Sequence, residues 1–378
     1  MEILVSPNSF KGTFSSVEAS NIIAKALKDA DSEFNIKKLP IADGGDGTMD
    51  VFKYYFDYKS VKRKYKNPLG NLVETEYIIL DDNNIAIIEF ANASGLKLIG
   101  KNQNDLMKSS SYGTGQQIKS AIKKGVKNIL LCLGGSATID GGTGILSALG
   151  VKFYNSSSNE ITKGNPLMSI NKFDVSSFIL NRKEINFTLL SDVTNPLIGT
   201  NGSVRTFGRQ KGLRENDFSL FEKNLDNFSV LTDKYFNSKT KSIVGGGAAG
   251  GACSFLKVFF NANLNNGADY ILDKIKYNSK ILNKSIIVTG EGSLDSQTLY
   301  GKAPYALANY TREKTPFCIA IGGIVDYYNI KKLLKNFDLV FAACESQKKD
   351  YCIRNAKRLL YNVSFKVGKI ISYKLRIN

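Results

Sequence analysis

Short apolar runs that end in glycine- and hydroxyl-rich loops recur along this chain, and a segment of helical period follows most of them. Glu2–Ser6 is the first, closing on Pro7-Asn-Ser-Phe-Lys-Gly12, after which Ser15 caps a helix reaching about Ala30. Phe34–Ile41 alternates as a strand and leads through Ala42-Asp-Gly-Gly-Asp-Gly-Thr48 into a helix reaching about Phe56. The rhythm then changes. Ser60–Tyr65, Val73–Leu80 and Ile85–Phe90 read as strands joined by turn-forming Asn-Pro-Leu-Gly and Asp-Asn-Asn, which predicts an antiparallel meander. The middle of the chain carries strands near Asn128–Leu133 and Phe187–Leu190 and helices near Gly115–Lys124 and Asp217–Phe236. Strand and helix alternate again at Ser285–Thr289, Ala303–Thr311, Phe317–Ile321, Ile330–Lys335 and Leu339–Ala343, before a final helix.

This order predicts an α/β protein of two α/β domains. Both chain ends, residues 1–65 and 285–378, assemble a Rossmann-like parallel-sheet domain. Residues 66–284 form an inserted mixed α/β domain, and the active site is expected in the cleft between the two, because open parallel sheets bind ligands at the carboxyl ends of their strands. A chain of 378 residues with 43% hydrophobic and 22% charged positions is long and apolar enough for two cores, and is not a disordered one.

Composition narrows the chemistry. There is no histidine, so a Ser-His-Asp triad, histidine-held zinc or haem and an imidazole base are all excluded; proton transfer must fall to Asp, Glu, Lys, Tyr or Cys. The cysteines Cys132, Cys253, Cys318, Cys344 and Cys352 form no C-x-x-C and are expected as reduced, mostly buried thiols. An acid follows Met1 and no apolar run approaches the ~18 residues of a membrane span, so a cytoplasmic chain with no membrane partner is expected. The excess of 51 Lys and Arg over 34 Asp and Glu gives +17. That charge is spread along the sequence, densest from Lys348 to Arg376 at a spacing that suits a helix's outer face. It suits a small anionic substrate better than nucleic acid.

The loops carry the candidate chemistry. Ala42–Thr48 sets two carboxylates beside glycines at a helix start, where backbone amides favour an anion or merely serve a turn and cap. Leu133-Gly-Gly-Ser-Ala-Thr-Ile-Asp-Gly-Gly-Thr-Gly144 follows an apolar strand and can present successive amides and hydroxyls to phosphate oxygens, although it is no Walker A loop. Gly290-Glu-Gly-Ser-Leu-Asp-Ser-Gln-Thr298, followed by Lys302, and Ser191-Asp-Val-Thr-Asn-Pro-Leu197 add further loop carboxylates. Gly245-Gly-Gly-Ala-Ala-Gly250 fits G-x-G-x-x-G with Asp269 downstream, but lacks a convincing strand before it and reads better as close helix packing or as an anion contact at a helix start.

Taken in order, these loops resemble the type I glycerate kinase family. The resemblance rests on Pro7-Asn-Ser-Phe-Lys-Gly, Ala42-Asp-Gly-Gly-Asp-Gly-Thr, Tyr112-Gly-Thr-Gly, Gly134-Gly-Ser-Ala-Thr-Ile-Asp-Gly-Gly and Asp192-Val-Thr-Asn-Pro-Leu. It continues through Phe207-Gly-Arg-Gln-Lys-Gly, Gly247-Ala-Ala-Gly-Gly, Gly290-Glu-Gly-Ser-Leu-Asp-Ser-Gln-Thr and Gly301-Lys-Ala-Pro. Asp46, Ile139 and Ser293 depart from it, standing where the family usually has Glu, Asn and a basic residue. The resemblance implies ATP-dependent phosphorylation of D-glycerate with Mg²⁺, and it is to the class that takes the 2-hydroxyl. The expected product is therefore 2-phosphoglycerate, with 3-phosphoglycerate the alternative that the sequence itself leaves open; a monomer or homodimer is expected.

Such chemistry asks for positioning and charge neutralisation, which a histidine-free chain can supply. Asp192, at a strand end, is the expected base, with Asp43 and Asp295 as rivals for base or Mg²⁺ ligand. Lys11 and Lys211, with Arg209 nearby, are expected on the substrate carboxylate or γ-phosphate, and Asn8, Ser9 and Asn195 on substrate hydroxyls. Phosphate or nucleotide contacts fall to Gly44, Gly45, Gly47, Thr48, Gly134, Gly135, Ser136, Thr138, Gly290, Glu291, Gly292, Gln297 and Lys302. Two readings compete: an NAD-dependent hydroxy-acid dehydrogenase resting on the Gly245 loop, and a non-catalytic anion or nucleic-acid binder. The second leaves the loop carboxylates unexplained.

Overall fold

The computed structural model of the chain describes residues 2–377 except 82–83, 101–104, 180–183, 282–284, 297, 315–316 and 347–348, with backbone alone at 300, 349 and 374–377. These fall into two compact units.

The first unit comprises Met1–Asp43, Asp50–Tyr55 and Asn266–Asn378. Its five strands lie in the order Leu339–Ala342, Phe317–Val325, Ile286–Leu294, Glu2–Pro7 and Asn35–Lys38, all parallel. From Glu2–Pro7 the sheet first grows one way, to Asn35–Lys38, and after the chain returns at Ile286 it grows the other. The strand order therefore reverses between Glu2–Pro7 and Ile286–Leu294, where Pro7 pairs with Gly290, and loops leaving such a point diverge and open a crevice. On one face, helix Ser16–Ala30 packs Ile23 and Leu27 with Leu360, Val363 and Val367 of helix Ala356–Ile377 over Ile3, Val5 and Val288. A Cβ on Gly368 would lie 2.6 Å from Ala30 Cβ, so the two helices approach closely only because that position is glycine. Ser15 begins the first helix with a reciprocal box: its Oγ accepts from Glu18 N, and Glu18 Oε2 accepts from Ser15 N at 2.8 Å. The C-terminal basic residues Lys357, Arg358, Lys366 and Lys369 lie on the exposed face, as their spacing predicts.

The structure revises several limits. Ile286–Leu294 and Phe317–Val325 run on beyond their apolar residues, because Glu291 pairs with Gly322 and Ser293 with Ile324. The first five residues of the Gly290 loop are therefore strand. Conversely, Phe34–Ile41 contains only the short strand Asn35–Lys38. Helix Gly267–Lys274 and buried Tyr277, which fall within the expected insertion, belong to the first unit, where the Tyr277 and Ser6 hydroxyls share a 2.5 Å hydrogen bond.

The second unit comprises Gly44–Met49 and Phe56–Asn265. Its six-stranded sheet has the order Asn263–Asn266, Asn186–Ser191, Asn128–Cys132, Ile85–Glu89, Leu72–Leu80 and Tyr58–Lys66. The expected antiparallel meander forms its last three strands, and Ile85–Glu89, Asn128–Cys132 and Asn186–Ser191 continue in parallel. Aromatic rings fill its core rather than lining a basic face: Phe187 stacks on Phe260 and Phe228 on Phe255, each at 4.2 Å between centroids.

Cys132, Cys253 and Cys318 are buried free thiols, and burial pushes Cys253 up to about 12. Cys344 and Cys352 correct the expectation of five reduced cysteines. Their Cα atoms lie 5.7 Å apart and they form a disulfide, which ties the segment after strand Leu339–Ala342 to helix Lys349–Arg354. Among the described residues no helix is long and apolar enough to cross a membrane.

Helix Tyr112–Lys123 lies so close to strand Tyr58–Lys66 that a Cβ on Gly113 would sit 1.8 Å from the Lys66 carbonyl oxygen. Gly113→Ala is expected to lower unfolding free energy by about 2 kcal/mol or more in urea titration, since a main-chain neighbour cannot swing aside. Unchanged stability would contradict this packing.

Candidate active site

In the first unit, the loop after Glu2–Pro7 begins with Asn8, whose backbone N–H donates to the Gly290 carbonyl at 2.8 Å. This places the Asn8 side chain beside the end of the central strand pair. There Asn8 Nδ2 donates to Asp43 Oδ2 at 2.9 Å, and Asn8 Oδ1 accepts from Ser9 N at 2.8 Å. Asn8 and Asp43 are each 2% exposed. Ser9 is buried as well, and its Oγ has no hydrogen-bond partner among the described residues. An unpaired buried hydroxyl is costly unless a ligand completes it.

Glu291, on the neighbouring strand, is 4% exposed and accepts from Thr298 Oγ1 at 2.8 Å, with Lys302 Nζ 3.7 Å away. Burial raises its carboxyl to about 7; Lys302 and the Thr298 hydrogen bond oppose this, Asp43 adds to it and Lys11 also opposes it. Two carboxylates and two lysines, from four separate stretches of sequence, thus act on one another at the sheet's reversal point. Asp295 is engaged differently, accepting from Ser293 Oγ at 2.9 Å within its own turn. Asp43 acts on Glu291 at this point of the sheet. Gln297 lies outside the described residues.

The second unit holds the other loops. Lys211 is 4% exposed, and its Nζ donates to Ser136 Oγ and to the Thr138 carbonyl, both at 2.8 Å. Burial lowers the amine to about 7, with Asp140 opposing. Asp140 itself is wholly buried and is absent from the residues expected in the site. Its carboxylate accepts from Ser111 N and Ser111 Oγ at 2.7 Å, from Thr138 Oγ1 and Gly142 N at 3.1 Å, and from Gly144 N at 3.2 Å. That bonding fixes the shape of the whole Gly134–Gly144 loop, whose Gly135, Gly141 and Gly142 take positive φ.

A second unforeseen carboxylate, Glu89, accepts from Gly47 N at 3.1 Å and Met49 N at 2.7 Å. The helix start at Thr48 therefore has its anion supplied by the chain, so those two amides are not open to a phosphate. Gly44 and Gly47 have positive φ, and a Cβ on Gly134 would lie 2.6 Å from Gly45 Cα, so these two glycine loops abut. Thr48 is wholly buried with its hydroxyl unpaired among the described residues. Asp192 is half-buried directly after strand Asn186–Ser191. Asn195 is occupied locally, donating to the Asn201 carbonyl at 2.8 Å and to Thr206 Oγ1 at 3.2 Å. Arg209 is 72% exposed and ion-paired with Glu215, unlike its neighbour Lys211. The departures from the family pattern are absorbed: Asp46 pairs with Lys97, Ile139 is buried in the core, and Ser293 bonds Asp295.

The Gly245 loop is packing. A Cβ on Gly247 would meet the Pro196 carbonyl oxygen at 2.4 Å and one on Gly250 the Thr138 carbonyl oxygen at 2.1 Å, and a 3₁₀ turn, Thr240–Ser242, precedes it instead of a strand.

The sequence profile of the Glycerate kinase family matches residues 3–372. The chain belongs to that family. It is 34% identical over 324 residues to the glycerate 2-kinase of Escherichia coli K12, covering 85% of each chain. It is also 34% identical over 322 residues to the glycerate kinase of Halalkalibacterium halodurans, again covering 85% of each. The crystal structure of a provisionally named glycerate kinase 2 from Salmonella typhimurium LT2 superposes with a TM-score of 0.82 at 30% identity, over 100% of this chain and 99% of that one. This member of the glycerate kinase family is thus an α/β kinase whose polar loops are those just described.

Lys211 gives this kinase a measurable pH signature. Its folded-state value, about 7, lies below the unfolded 10.5, so between these limits the unfolded chain binds the extra proton. Stability attributable to Lys211 is therefore present above 10.5 and lost as pH falls through 7. In urea titrations from pH 7 to 10, wild type is expected to gain roughly 2–4 kcal/mol relative to Lys211→Met. A constant difference would contradict the lowered value of the buried amine.

Proposed function

We propose that this kinase transfers the γ-phosphoryl group of ATP to the 2-hydroxyl of D-glycerate, with Mg²⁺, giving 2-phosphoglycerate. The observation that carries this reading is the family match from residue 3 to residue 372, with the family's loops in order. The chemistry of the described groups supports it. In-line transfer needs held phosphates, a neutralising cation and an acceptor for one proton, and no imidazole.

Among the described residues no group of three or more acidic or cysteine side chains is placed to hold a metal ion. Mg²⁺ does not require one: it keeps several waters and takes one or two carboxylates alongside substrate phosphates. Asp43 and Glu291, with the unpaired Ser9 hydroxyl, are a hard-oxygen set of that kind and would hold it. The bound ion would neutralise charge on the phosphates. Lys11 and Lys302 add positive charge beside those carboxylates, and Lys211, with the loop from Gly134 to Thr138, would bind an anionic group of substrate or nucleotide. Asp192 accepts the proton of the attacking hydroxyl in this scheme.

The test is ADP release from purified protein supplied with D-glycerate, ATP and Mg²⁺, with EDTA and L-glycerate as controls and phosphorus NMR of the product. Metal-dependent turnover of D-glycerate to the 2-phosphate is expected. Asp192→Asn should lower kcat by 10²–10⁴-fold, about the range for removing a general base, with little change in KM for ATP. Folded protein without turnover would overturn the kinase reading in favour of an anion binder, and a 3-phosphate product would correct the acceptor hydroxyl.

A further inference from the structure

The first unit contains a cavity of about 450 Å³ that includes Lys11 and Gly292 but whose apolar lining has no role assigned above. It lies at the carboxyl ends of four parallel strands. Phe10 and Lys11 follow Glu2–Pro7, Gly292 lies in Ile286–Leu294, Gly323 and Val325 close Phe317–Val325, and Ala343 and Cys344 follow Leu339–Ala342. Ala356 and Leu360, from the first turns of the C-terminal helix, form the opposite wall. We propose that this cavity receives the base and ribose of the phosphoryl donor, an inference that rests on the kinase reading above.

Size, shape and polarity all bear on the ligand's class. The volume lies within the range for small-molecule sites and suits a nucleoside, whereas glycerate would leave most of it empty. Gly292 and Gly323 lie side by side, a Cβ on Gly323 falling 2.6 Å from the Gly292 carbonyl oxygen, so one wall is bare main chain onto which a flat ring can settle. Phe10, Phe14 and Tyr327 add aromatic surface of the kind that purines pack against. Polar groups stand at two places. Glu345 stands on the lining with its charge acting on the Tyr327 hydroxyl, and Lys11 is the lining residue that also acts on Glu291. The cavity therefore adjoins the carboxylate and lysine cluster through Lys11, and a nucleoside there has its phosphates on the side of the groups that would hold them. The disulfide Cys344–Cys352 pins two lining residues together and stiffens the outer wall.

A wider trough of about 630 Å³, between helix Ser16–Ala30 and strand Asn35–Lys38, has no comparable claim. Its lysines are engaged with the chain itself, Lys25 with Asp29, Lys28 with the Ser32 and Phe34 carbonyls and Lys38 with Asn21.

The experiment is calorimetric titration of the full chain, in Mg²⁺ and without glycerate, with ADP and separately with inorganic tripolyphosphate. Ala356→Trp fills the cavity and is expected to weaken ADP at least tenfold while leaving tripolyphosphate within twofold. Tyr327, 57% exposed, can be truncated without risk to the fold, and Tyr327→Ala should weaken ADP three- to tenfold. Should circular dichroism show Ala356→Trp misfolded, Tyr327→Ala decides alone. Unchanged ADP affinity in the variants, or equal losses for ADP and tripolyphosphate, overturns the cavity while wild-type turnover leaves the kinase reading standing. Wild type that neither binds ADP nor turns over overturns both.

Discussion

The second unit's chemistry hangs on one buried carboxylate. Asp140 gathers Ser111, Thr138, Gly142 and Gly144 around itself, and the loop so shaped presents Ser136 Oγ and the Thr138 carbonyl to Lys211. A carboxylate alone in that interior would be prohibitively costly, but one accepting several N–H and O–H bonds is a strong organiser. Lys211 draws on the same centre: burial drives it toward the neutral form while the Asp140 charge restrains the shift. Glu89 repeats the device on a smaller scale, binding the amides that open helix Thr48–Tyr55. In both places an acid of the chain itself takes the amides that a glycine-rich loop would otherwise offer a ligand.

The first unit reaches its chemistry by a different route. Parallel strands deliver the ends of Glu2–Pro7 and Ile286–Leu294 to one place, and Asn8, Asp43, Glu291 and Lys302 meet there although hundreds of residues separate the first two from the last two. The absence of histidine does not deprive the chain of groups that ionise near neutrality. Burial brings a glutamate up and a lysine down into that range.

Most of the element order was legible from local pattern: the Ser15 cap, the meander, the long helix from Phe218 and the return of strand–helix alternation after Ser285. What pattern missed depends on partners distant in sequence. Glu291 and Ser293 read as loop because glycines surround them, yet pairing with Gly322 and Ile324 makes them strand. Asp140 sat inside a quoted motif, but its role appears only when Ser111 arrives from an earlier helix start. Glu89 ends an apolar strand and gives no local sign that Gly47 and Met49 will turn to it. Cys344 and Cys352 lacked a recognisable spacing, and only the fold shows their Cα atoms 5.7 Å apart. Lys211 and Arg209 look equivalent in sequence; burial alone separates them.

In the function proposed above, this histidine-free kinase works by holding groups in place, with direct transfer and no phosphorylated side chain. Its most direct test is the stereochemical course at phosphorus, using ATP made isotopically chiral at the γ-position with D-glycerate as acceptor. A single in-line displacement predicts inversion. Retention would reveal a phosphoryl-enzyme intermediate on one of the carboxylates and contradict the account.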